Sequence, residues 1–169
     1  DNWTYTGMLQ NVQCFCDNSG EEDTDFYYNC DMKLTGTAAS VVDVVCRDGY
    51  DRFNDAISQI SKVGIVILHA AFPNPEIEGS NFEYVDYYIE NGITGVVELV
   101  LDKGVNVNCG EKDFSAKYLT IGTNFEQNTR EDMWSSLGAK NITVSDTAVL
   151  RNANLKAGTN TVGDGKITL

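Results

Sequence analysis

Five carboxylates fall within nine residues: Asp17, Glu21, Glu22, Asp23 and Asp25. Like charges so close repel one another unless water or a cation intervenes. Calcium takes roughly six to eight hard oxygen ligands, which a flexible acidic loop can supply. The loop is therefore a candidate calcium site, although its spacing matches no calcium-loop pattern, and a solvated connection is the plain alternative. A second acidic stretch lies near the end of the chain. Asn160, Asp164, Gly165 and Ile167 occupy positions one, five, six and eight of an EF-hand-like loop. Position three is Val162 and the bidentate Glu is missing, so this stretch reads as a turn feeding a last strand.

The chain has one histidine, His69, inside the apolar run Ile65 to Phe72. A serine or cysteine nucleophile would have to use it as base. In such a run a hydrogen-bonded core imidazole is the commoner outcome. Carboxylate-pair hydrolysis needs no histidine, and Glu76 with Glu78, or Glu83 with Asp86, are candidate pairs. In so acidic a chain, surface solvation is the default reading of such pairs. No glycine-rich phosphate cradle or P-loop lysine is present. Tyr84, Tyr87 and Tyr88 form the remaining cluster, suited to contact with a sugar or a protein partner. On a helix, Tyr84 and Tyr88 would cover the core and Tyr87 would lie at its rim.

Five cysteines complete the reactive set. Cys14, Cys16, Cys30 and Cys46 crowd the first third, and Cys109 stands apart. A Cys-x-Cys pair and a single histidine fit zinc poorly. Disulfides are the expectation, drawn from Cys14, Cys30, Cys46 and Cys109, with the odd thiol free, buried or paired between chains. This implies an oxidising compartment. The first residue is Asp1, so either a leader has been removed or the chain is an excised fragment. Asn2-Trp3-Thr4 and Asn141-Ile142-Thr143 are formal glycosylation sequons.

Twelve Lys and Arg stand against 25 Asp and Glu, a net charge of −13. Repulsion of that size disfavours nucleic acid and anionic lipid. The longest apolar run is far short of the ~20 residues of a membrane helix, so no membrane insertion is expected. The 42% hydrophobic content supports a sizeable core in one domain spanning residues 1–169.

The elements that must position these residues are mainly strands. Phe26 to Leu34 alternates apolar and polar residues, the period of a strand with one buried face. Trp3 to Cys16 also reads as extended, and a hairpin with Phe26 to Leu34 across the acidic loop is expected. Val41 to Cys46 is a short β-branched strand. Ile65 to Phe72, closed by Pro73-Asn74-Pro75, reads as a strand buried on both faces. Val96 to Leu101 and Val105 to Cys109 form a hairpin across Asp102-Lys103-Gly104, with Gly104 supplying a positive φ. Tyr118 to Thr123 is another strand, and short strands with tight turns follow from Asn141.

Three segments carry helical spacing. Tyr50, Phe53, Ile57 and Ile60 recur at three and four residues. Phe82, Val85 and Ile89 follow a Ser80–Glu83 capping box and precede Asn91-Gly92. Met133, Trp134 and Leu137 follow Thr129 and Asp132. No fixed-period repeat is visible. The expected fold is α+β and β-dominated: a disulfide-bonded, mainly antiparallel sheet or sandwich with two or three short helices.

The expected function is a non-catalytic extracellular or cell-surface module: a fibre, matrix or adhesion subunit acting through sheet edges and protein contacts, self-association included. The alternatives are a calcium-assisted binder of carbohydrate or protein, and a small secreted carboxylate-pair hydrolase. Apart from calcium, no cofactor is expected.

Overall fold

β-Branched and alternating segments dominate the chain, and in the computed structural model every element is a strand. The structure describes residues 3–6, 12–13, 28–35, 38–47, 53–61, 63–72, 78–79, 84–123, 134–158 and 164–169. The first six strands are β1 (Trp3–Thr6), β2 (Val12–Gln13), β3 (Tyr28–Thr35), β4 (Val41–Arg47), β5 (Phe53–Ser61) and β6 (Ile65–Phe72). Next come β7 (Val85–Tyr88), β8 (Ile93–Asp102), β9 (Val105–Asn108) and β10 (Phe114–Thr123). The last four are β11 (Ser135–Ala139), β12 (Asn141–Leu150), β13 (Ala153–Ala157) and β14 (Lys166–Thr168).

Odd-numbered strands form one seven-stranded sheet and even-numbered strands another, each stacked in chain order. Every pairing is parallel. The chain thus coils: one strand in the first sheet, one in the second, then back to lie beside the first. This is a parallel β-solenoid. The expected antiparallel sheet or sandwich is overturned. The segment Trp3 to Cys16 makes no hairpin with the next strand; β1 lies parallel to β3, with Trp3 opposite Met32.

The corners explain how so short a link can join strands that do not pair. Only Lys103 and Gly104 separate β8 from β9, and Gly104 has φ 75°. The positive φ expected there is present, but it bends the chain from one sheet to the other instead of folding a hairpin. Arg151 and Asn152 make the same corner between β12 and β13, with Asn152 at φ 46°.

The core lies between the sheets and is built of in-register columns. Val42, Val66, Leu99 and Leu119 form one, and Val44, Leu68, Leu101 and Ile121 the next. All eight are fully buried. Alternate residues, such as Ile65, Ile67 and His69 of β6, are half-buried on the outer face. Over Ile65–Ala70 the run is thus fully covered on one face and only partly on the other.

No helix occurs among the described residues, and the reason is an ambiguity of period. Residues four apart share a face in a helix, but they also share a face in a strand, being two pleats apart. Val85 and Ile89 satisfy both and are buried at 4% and 0% exposure. A bulge supplies the spacing of three. Met32 of β3 pairs with Ile57 of β5 but Leu34 pairs with Ile60, so β5 carries one extra residue between the two pairs. Leu137 of the third expected helix is a core residue of β11; residues 124–133 lie outside the described set.

Candidate functional site

On the outer face of the even sheet, β4, β6 and β8 bring His69 between two carboxylates. Asp43 faces Ile67 and Leu68 faces Leu101 in the register, so His69 and Asp102 follow as neighbours on adjoining strands. His69 Nδ1 stands 2.9 Å from Asp102 Oδ2. His69 Nε2 stands 2.5 Å from Asp43 Oδ1, off the line of a straight hydrogen bond. Exposure rises through the series: the Asp102 side chain is at 0%, His69 at 15% and Asp43 at 27%.

Asp102 is held from several sides. The Lys103 backbone N–H donates to its Oδ1 at 2.9 Å. The buried Ser135 hydroxyl donates to its carbonyl at 2.5 Å and accepts from the Val105 N–H at 3.3 Å. Tyr87, fully buried, donates its hydroxyl to the His69 carbonyl at 2.7 Å. The network therefore ties three successive rungs of the even sheet to β7 and β11 of the odd one. A buried carboxylate without such partners would cost several kcal/mol, on the order of its desolvation.

Burial works against a charged His69, but the Asp102 hydrogen bond and the charges of Asp43 and Asp102 outweigh it, and its pKa is raised above 6.5. The imidazolium form is favoured. With both nitrogens turned to carboxylates, such a ring has no lone pair with which to deprotonate a serine or cysteine. It is a clamp across rungs. Sequence reasoning placed His69 as a core imidazole but missed both partners. Asp43 and Asp102 lie 26 and 33 residues away along the chain, and only the coil makes them neighbours.

The other expected sites are placed as follows. The loop of Asp17, Glu21, Glu22, Asp23 and Asp25 lies outside the described residues. Among the described residues no group of three or more His, Cys, Asp or Glu is arranged to hold a metal. Asp164 pairs with Lys140 at 3.2 Å, closing the last corner. Glu78 and Asp86 are exposed, while Glu76 and Glu83 lie outside the described set.

Cys109 is a free thiol, 1% exposed, and burial pushes its pKa up to about 12. It is inert packing, not the disulfide partner expected for it. The side chains of Cys14, Cys30 and Cys46, and of Cys16, lie outside the described set.

The tyrosines are inverted. Tyr87 is in the core, whereas Tyr84 and Tyr88 are 38% and 50% exposed. A strand places 85 and 87 on one face and 84, 86 and 88 on the other, where a helix would have done the reverse.

No family model, curated protein or solved structure matches this chain. No helix among the described residues is long and apolar enough to cross a membrane.

Proposed function

We propose that this chain is a non-catalytic structural or adhesion module of the cell exterior that associates end to end through its sheet edges. The wholly parallel stacking of both sheets, whose edge strands could take a further rung in the same direction, carries this reading. β13 and β14 are the last strands of their sheets, nothing among the described residues pairs beyond them, and every side chain of β14 is exposed. Ile167 at 41% and Leu169 at 62% extend the apolar pattern to this edge. β1 and β2 are the first strands of the same two sheets, also parallel. A second copy stacked head to tail would continue both sheets without changing strand direction.

Charge favours the same arrangement. Residues 140–169 hold four Lys and Arg against two Asp, whereas residues 1–35 hold seven Asp and Glu against one Lys. Opposite charge in the first and last stretches of the sequence favours head-to-tail contact between copies of a chain that is otherwise strongly anionic. The saturated His69 clamp supports a structural rather than catalytic reading. Sedimentation velocity over a concentration series at low and high salt tests the proposal. Mass should grow with concentration, and less so at high salt; a monomer throughout overturns self-association.

A further inference from the structure

The outer face of the odd sheet differs from that of the even sheet. Over β7, β9, β11 and β13 its register columns are polar and aromatic. Asp86, Asn106, Ser136 and Asn154 stand side by side in one column. In the next, Tyr88 and Asn108 are followed by Gly138 and Lys156. At the start of these strands Tyr84 donates its hydroxyl to the Trp134 carbonyl at 3.2 Å, setting a second aromatic residue, itself half-buried, beside the first.

Three features make this face a built surface for a hydroxylated chain. First, its amides are oriented. Asn106 Oδ1 accepts from the Ser136 hydroxyl at 2.6 Å, and Asn108 Oδ1 accepts from the Gly110 N–H at 2.8 Å. With the oxygens committed, each amide nitrogen remains as a donor. Second, Gly138 interrupts a column of side chains. A Cβ there would make ordinary van der Waals contact, from 3.8 Å to Asn108 Oδ1, so the glycine leaves a gap in the side-chain column between Asn108 and Lys156 without being forced by crowding. Third, Tyr88, half exposed, reaches with its hydroxyl over Gly110, in the same column as Asn108 and Gly138. Aromatic faces beside fixed amides suit the flat apolar face and equatorial hydroxyls of a sugar. Neighbouring strands repeat every ~4.8 Å, close to the rise of one pyranose in an extended glycan.

The charge identifies the class. The face carries one anion, Asp86, and one cation, Lys156, inside a molecule of net charge −13. An anionic polymer is repelled by the whole, and locally Lys156 is offset by Asp86. A protein partner would need the aliphatic centre that these columns lack. We propose that the outer face of β7, β9, β11 and β13 binds a neutral polysaccharide along the solenoid axis, with Tyr88 as stacking residue and Gly138 as the floor. The site uses a sheet face, not an edge, and is independent of end-to-end association.

Affinity electrophoresis tests it, at a protein concentration where the chain sediments as a monomer. Native gels contain hydroxyethylcellulose, galactomannan or a soluble β-1,3-glucan, with polygalacturonate as the anionic comparator. The chain should be retarded in at least one neutral gel and not by polygalacturonate. Tyr88→Ala and Gly138→Gln should each weaken retardation about tenfold, the scale of one lost aromatic contact. Thermal unfolding checks that the variants fold; at Gly138 an added Cβ meets nothing closer than 3.8 Å. Unchanged mobility in all neutral gels, retardation by polygalacturonate alone, or retardation that both folded variants keep would each overturn the proposal.

Discussion

At the residue scale, His69 has the largest consequence. Its raised pKa means that folding favours the protonated ring, so the clamp's stabilisation is complete below the free value of 6.5. It is lost as pH rises through the higher folded value. Urea unfolding of the native chain should therefore show a falling midpoint from pH 6 to about pH 9, and His69→Gln should remove much of that slope. A midpoint with the same slope in both proteins would refute the clamp. Asp102 is the more sensitive partner because it is wholly buried. His69→Ala leaves that carboxylate without its imidazolium and should cost about 3 kcal/mol in denaturant unfolding at pH 6. Sequence identified His69 as half of this story; its partners come from other rungs, and no spacing rule connects residues 43, 69 and 102.

Strands as elements were legible where the outer face is polar, as in Val105–Asn108, because alternation then shows both faces. They were misread as helices where a bulge or a pair four residues apart imitated the helical period. The register separates the two kinds of position and yields a test. Leu99 sits in a fully buried column, whereas Val97 on the same strand is 38% exposed. Leu99→Ala should cost about 3 kcal/mol, and Val97→Ala within about 0.5 kcal/mol of nothing. Equal costs would mean that β8 does not have this register. The corner before β6 is as demanding. A Cβ at Gly64 would meet the Ala38 carbonyl oxygen at 2.2 Å, so Gly64→Ala should destabilise by about 2 kcal/mol on overpacking alone.

At the scale of the whole molecule, the proposed stacking brings the edge strands of two copies together, and the charge on the last described rung would set how they meet. Reversing Lys156 and Lys166 to Glu should suppress the concentration-dependent growth in mass while leaving the thermal transition in place, since both side chains are exposed. Sedimentation unaltered by the reversal would remove the electrostatic part of the stacking. By itself the sequence determined a β-rich chain, strongly acidic, with most strand positions and the turn glycine at 104. Those follow from local chemistry: β-branching, alternation and permitted φ. Strand direction, the solenoid and both surface sites were decided only by tertiary structure. Equivalent positions 42, 66, 99, 119 and 148 are separated by 24, 33, 20 and 29 residues, so connections of unequal length hide the repeat. Alternation, moreover, reads the same in parallel and antiparallel strands, because the pleat sets which way a side chain points and the partner strand sets only the hydrogen bonds.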